Sequence, residues 1–187
     1  MSRAIQLPMS RELGEQLRAG EEVSLCGTVL TARDQACARL FGLLQEGKPL
    51  PVDMEGQVIY FVGPTPAPPG RVIGAAGPTT SGRMNPFMPE FLSRGLRGFI
   101  GKGYLSDPVK QALMQHGGVY FGAIGGTGAL LSAAIAEAKV IAFDDLLTEA
   151  VRELVLRNFP AVVLNDSVGG DLYARAKGEK TCSQSDS

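Results

Sequence analysis

Apolar positions along the chain alternate between two periods, and the switches between them mark out the elements. Residues 4–8 read as a short extended segment, after which Ser10 offers an N-cap for a helix with Leu13 and Leu17 four apart, ended by Gly20. Residues 22–32 (EVSLCGTVLTA) are β-branched and partly alternating, which predicts a strand, with Gly27 at a bulge or close backbone contact. From 34 to 44 the residues Ala36, Leu40, Leu43 and Leu44 recur at helical spacing until Gly47-Lys48-Pro49 stops the helix. Residues 58–62 (VIYFV) predict a short apolar strand, with 71–75 as its hairpin partner across the proline-rich spacer 65–70. A helix is expected over 86–94 and a buried strand over 98–100. The next helix is one that Asp107 caps, Pro108 opens and Gly117-Gly118 closes. The order strand (119–124), glycine turn (125–128), alanine-rich helix (129–138), strand (140–143) follows. Two β-rich runs, 150–156 and 161–164, are split by Arg157-Asn158-Phe159-Pro160, and the polar stretch 177–187 is expected to be disordered.

Strands alternate with helices in the second half, while the first half is richer in strands. The predicted fold class is therefore α/β: a mixed or parallel sheet covered by helices, with an added β layer, forming one domain over residues 1–176. Composition agrees, since 187 residues with 44% hydrophobic content can bury one sizeable core. A net charge of −1, with 18 Lys and Arg dispersed along the chain, gives no footprint for nucleic acid. No apolar run approaches the ~20 residues that span a bilayer, and the first residues lack a signal-peptide core, so a cytoplasmic, membrane-free protein is expected. Cys26, Cys37 and Cys182 fit neither a disulfide framework nor a CxxC metal site and read as reduced thiols.

Candidate chemistry gathers at strand-to-helix junctions, where α/β sheets bind ligands. Residues 77–86 (GPTTSGRMNP) combine turn glycines, the hydroxyls of Thr79, Thr80 and Ser81, and Arg83, whose planar fork matches a carboxylate. Arg33 follows the strand ending at Ala32, and Lys102 stands between Gly101 and Gly103 after the strand ending at Ile100. Gly125 and Gly126, in the turn before the alanine-rich segment, add bare N–H groups at a helix N-terminus. Together these describe a dianion site. Taken singly, each has a plainer reading: Arg33 with Asp34 also reads as a surface ion pair worth ~0–1 kcal/mol, and Lys102 as a solvated turn lysine. His116, at a helix end, is left outside the site. Neither a GxSxG elbow, nor HExxH, nor a nucleotide-binding glycine motif is present, so the chain can bind but looks chemically incomplete.

The set GTVLTARD, GPTTSGRM, FIGKG and FPAVVLND…GGDLY, spread from about Glu22 to Tyr173, resembles the β subunit of the iron–sulfur hydro-lyases, the class I fumarase and L(+)-tartrate dehydratase family. The resemblance implies a swivelling β/β/α domain. It implies reversible addition of water across a double bond of a four-carbon dicarboxylate, with fumarate and (S)-malate favoured because fumarases are the more general activity. A tartrate dehydratase β subunit and a non-catalytic carboxylate-binding domain are the alternatives. It further implies a [4Fe–4S] cluster held by a partner α subunit in an α2β2 assembly, with no metal ligand on this chain. Arg33, Thr80, Arg83, Gly125 and Gly126 then become substrate-binding residues, and Lys102 and Thr79 catalytic ones, Thr79 standing near the carbon-bound proton. Since a hydroxyl is a poor base unaided, Thr79 needs neighbouring cations or a carboxylate on the partner. Where the family carries a histidine shortly after the Arg-Asp pair, this chain has Cys37.

Overall fold

A computed structural model describes residues 2–124 and 128–182, with side chains to residue 178. Its frame is a seven-stranded mixed sheet of β1 (Arg3–Leu7), β2 (Glu22–Thr31), β3 (Val58–Tyr60), β4 (Gly98–Gly101), β5 (Val119–Ala123), β6 (Ile135–Ala142) and β7 (Val151–Asn165). The strands lie in the order β1-β2-β3-β4-β5-β7-β6, and β2 also pairs with β7, so that β2, β3, β4, β5 and β7 close into a small barrel. Strands β1 to β5 run parallel, and β7 is antiparallel to β2, β5 and β6.

Parallel neighbours need crossovers, and helices supply them. α1 (Arg11–Gln16) joins β1 to β2, α2 (Asp34–Gln45) joins β2 to β3, α3 (Met88–Ser93) precedes β4, and α4 (Asp107–His116) leads to β5. α5 (Gly128–Ala133) precedes β6, and α6 (Leu172–Cys182) follows β7. Successive strand residues face opposite sides and so feed two cores. Val58, Tyr60 and Val62 pack with Leu25, Phe121 and Phe159 among strand residues, whereas Ile59 and Phe61 pack with Leu40, Phe91 and Leu113 beneath α2, α3 and α4. Gly27 sits at a register shift between β2 and β7 with φ of 108°, where a Cβ would run into the Leu7 carbonyl. The bulge expected there is present.

Several elements differ from the pattern-based expectation. Residues 71–75 form no strand; β3 is flanked by β2 and β4, and Thr65 and Ala75 merely pinch the proline-rich loop, with Thr65 N–H donating to Ala75 O at 3.1 Å. The alanine-rich helix stops at Ala133, because pairing of Ile135–Ala142 with β7 overrides the helical propensity of Ala, Glu and Lys. β7 runs unbroken through Arg157 to Pro160: Asn158 takes a left-handed φ of 52°, Phe159 is fully buried, and Pro160 O accepts from Ile124 N–H. In α4 the capping position belongs to Ser106, and Asp107 is its first helical residue. α6 continues to Cys182, beyond residue 177 where order is expected to end.

Candidate active site

The carboxyl ends of β2, β3 and β4 bring three short segments together. β2 passes through Ala32 to Arg33, the N-cap of α2; β3 continues through Phe61 to Gly63; β4 ends at Gly101, next to Lys102. The 77–80 turn is laid across these ends. Thr79 N–H donates to Phe61 O at 2.8 Å, Ser81 N–H donates to Lys102 O at 2.9 Å, and Thr80 bridges Lys102 in parallel fashion. Its back is held by buried phenols. The Tyr60 hydroxyl donates to Ala76 O, while Tyr120 donates to Gly103 O at 3.1 Å and can accept from Ser81 Oγ at 2.9 Å. Burial pushes both phenols upward in pKa, so they stay neutral donors. The result is an open cleft of about 560 Å³ lined by Arg33, Gly63, the 77–80 turn, Arg83 and Lys102.

Charge in the cleft is mixed. Arg83 Nη2 donates to Thr79 Oγ1 at 3.0 Å, and Arg83 Nε lies 3.1 Å from Asp34 Oδ1. Arg33 Nη2 stands 3.8 Å from Asp34 Oδ2 and 4.0 Å from Glu149 Oε1, too far for a direct hydrogen bond, and Arg33 Nε is buried with no partner. Glu149 comes from the 3₁₀ segment Asp144–Glu149, and its Oε2 accepts from Gln35 N–H at 2.9 Å. Lys102 is exposed, and no carboxylate among the described residues pairs with it. Among the described residues, three cations against two carboxylates leave a positive surplus in an open, polar cleft. An arrangement of this kind takes an anion carrying planar oxygen pairs.

Five of the seven residues singled out in the sequence therefore line one cleft: Arg33, Thr79, Thr80, Arg83 and Lys102. Gly125 and Gly126 lie outside the described residues. Gly128, the first residue of α5, accepts from Ala76 N–H at 3.1 Å beside Gly77. Sequence reasoning missed Gly63, the bridging role of Asp34, and Glu149. Gly63 follows the apolar run 58–62 and carries no signal of its own, although a Cβ at that position would come within 2.6 Å of Arg33 Nη1. Glu149 carries no local signal, since it reaches Gln35 across 114 residues of sequence. His116 sits half-buried in the last turn of α4; burial, with Arg11 and Arg97 nearby, holds its pKa below the ordinary value, and it does not line the cleft.

The described thiols do not suit an iron–sulfur cluster. Cys37 is fully buried in α2 among core residues, and burial pushes its thiol strongly upward in pKa. Cys26 lies on β2 with its sulfur against Asn158, away from the cleft lining. Among the described residues no group of three His, Cys, Asp or Glu could hold a metal ion.

Residues 2–176 match the fumarase C-terminus family. The chain is 38% identical over 178 residues to "Fumarate hydratase 1, mitochondrial" of Leishmania major, covering 91% of this chain and 32% of that protein. It is 34% identical over 178 residues to "Fumarate hydratase class I, anaerobic" of Escherichia coli K12, with the same coverage. It is also 34% identical over 165 residues to "Putative L(+)-tartrate dehydratase subunit beta" of Methanocaldococcus jannaschii, covering 85% of each. The chain thus spans about a third of the length of the fumarate hydratases it matches. By the family match over residues 2–176, the chain belongs to the fumarase C-terminus family.

Proposed function

We propose that this chain is the β subunit of a hydro-lyase that interconverts fumarate and (S)-malate, gripping one end of the substrate while a partner α subunit completes the site. The observation that carries this reading is the meeting of Arg33, Thr79, Thr80, Arg83 and Lys102, from three separate junctions, in one cleft. Likeness to two proteins named fumarate hydratase and to one named as a tartrate dehydratase β subunit supports it. The [4Fe–4S] cluster that the family implies is assigned to the α subunit, because the described residues here do not fit it. In the same reading the assembly is α2β2, and this sheet-and-helix unit is the swivelling β/β/α domain. Its location is a reducing compartment, taken to be the cytoplasm, in keeping with free Cys26 and Cys37.

The chain's own contribution is to bind, orient and hold a proton. Arg33 and Arg83 offer planar donors to a substrate carboxylate, and Lys102, with no carboxylate partner among the described residues, adds a point charge. Thr79 Oγ1 already accepts from Arg83 Nη2. That contact stabilises negative charge on Oγ1 as the hydroxyl passes its proton to a carboxylate of the partner subunit; in dehydration Oγ1 takes the carbon-bound proton in exchange, and in hydration both transfers run in reverse. Thr80, with its backbone locked to Lys102, fixes the register of the turn. A tartrate dehydratase β subunit is the second reading, favoured by the match to a protein of that name.

Anaerobic co-expression with the α subunit, followed by assays on malate, fumarate and both tartrates, tests the proposal. Turnover of malate and fumarate is expected, and Thr79→Ala should abolish it while assembly persists. Near-normal turnover in that variant sinks the role of Thr79. An assembled wild type with an intact cluster but no activity on any of the four acids points instead to a non-catalytic carboxylate-binding domain.

A further inference from the structure

Asp34 stands between the two arginines of the cleft, and its two oxygens do different work. Oδ1 forms an ion pair with Arg83, 3.1 Å from Nε, while Oδ2 is 3.8 Å from Arg33 Nη2. A guanidinium is a rigid plane, so an ion pair at its Nε end restrains Nη1 and Nη2 as well. Arg83 in this orientation donates from Nη2 to Thr79 Oγ1 at 3.0 Å. The remaining hydrogens on Nη1 and Nη2 stay available as the end of the fork for a carboxylate.

Arg83 needs such a hold. It springs from the short 3₁₀ segment Ser81–Met84, and its side chain is 56% exposed. A long exposed side chain samples many rotamers, and an exposed ion pair adds little to folding stability. Stability therefore gives no reason for the contact. Arg33 is less dependent on Asp34, because Glu149 stands at a comparable distance and Gly63 walls it in.

We propose that Asp34 is a positioning residue: it locks Arg83 in the orientation that serves both Thr79 and the substrate carboxylate. The inference rests on the hydro-lyase reading above and adds to it a residue that never touches substrate. Because Arg33 and Lys102 continue to bind the carboxylate without it, losing Asp34 falls on proton transfer, hence on kcat rather than KM.

The test uses Asp34→Ala and Asp34→Asn in the assembled enzyme, with the isolated chain labelled at arginine with 15N. Asp34→Ala is expected to lower kcat about tenfold or more while KM stays within about threefold. Its Tm should stay within about 2 °C of wild type. Asp34→Asn keeps the shape but not the charge of the ion pair, so it should lose kcat as Asp34→Ala does, with Tm likewise near wild type. The Arg83 Nε–H resonance should shift or broaden in Asp34→Ala as the guanidinium loses its ion-pair partner. A kcat within about twofold of wild type in Asp34→Ala overturns the proposal. So does an equal loss of kcat and Tm in both variants, which would mark a structural role. A wild-type assembly silent on every four-carbon acid overturns the hydro-lyase reading itself, and with it any reaction for Asp34 to serve.

Discussion

At the cleft, the Arg33 guanidinium lies against the backbone of Gly63, and the missing side chain is what lets it stay there. A Cβ at residue 63 would stand 2.6 Å from Arg33 Nη1 and 2.8 Å from Cδ, well inside ordinary van der Waals contact. Against a push from that Cβ, Arg33 has only ion-pair partners at 3.8 and 4.0 Å, and its Nε has no partner. Gly63→Ala should therefore leave Tm within about 2 °C while moving the guanidinium off the substrate, raising KM for the dicarboxylate about tenfold, about 1.4 kcal/mol of binding. Gly82, in the neighbouring turn, meets nothing within 4 Å at its Cβ position and has no left-handed φ. Gly82→Ala is the matched control, and steady-state kinetics of the pair in the assembled enzyme should separate a close-approach glycine from a merely permissive one. An unchanged KM in Gly63→Ala removes Arg33 from the substrate-binding set.

Helix α2 shows how a binding residue is accommodated at an element's end. Its N-cap is Arg33, which has no side-chain acceptor to offer, and the orphan N–H of Gln35 is satisfied across the fold by Glu149 Oε2 at 2.9 Å. The segment that carries Glu149 is itself braced: Arg152 donates to Leu147 O at 2.8 Å, although Leu147 holds a left-handed φ of 53°. Glu149→Gln keeps an acceptor for Gln35, so its Tm should stay near wild type. Glu149→Ala removes the cap and should cost about 1 kcal/mol, a fall in Tm of about 2–4 °C by calorimetry. Equal melting of the two variants would show that charge near Arg33, rather than capping, is what Glu149 supplies. This long-range cap also shows which parts of the fold a sequence can reveal. The α2 pattern of Ala36 and Leu40, the Ser10 cap and the Gly27 bulge are local signals, and all were legible. So were Arg33, Thr79, Arg83 and Lys102, because each follows an apolar run at a turn. The strand at Ile135–Ala142 was not legible, since its Ala, Glu and Lys residues favour helix and only the register against β7 makes it a strand. Glu149 was hidden for the same reason: its partner is set by the fold.

Across the whole molecule, parallel order in β2 to β4 sends all three carboxyl ends to one edge, and the cleft occupies that edge. The opposite edge is closed differently. β7 runs antiparallel to β2 and β5, with Val162 beside Glu22 and Asn165 beside Tyr120, so it ends where those strands begin. There Asp166, only 3% exposed, gathers three backbone donors: Val168 N–H at 3.0 Å and Gly170 N–H at 2.7 Å on Oδ1, and Ala19 N–H at 2.8 Å on Oδ2. One carboxylate thus ties the α1–β2 connection to the turn after β7, joining segments 147 residues apart. Asp166→Asn replaces one acceptor oxygen by an NH2 group, so in either amide orientation a backbone N–H faces another donor in a buried site. That mismatch should cost about 2 kcal/mol, lowering Tm by about 4–8 °C. Because the loss falls at the amino edge, kcat of the assembled enzyme at 25 °C should match wild type, whereas the same thermal loss accompanied by a fall in kcat would show that the two edges of the sheet are coupled.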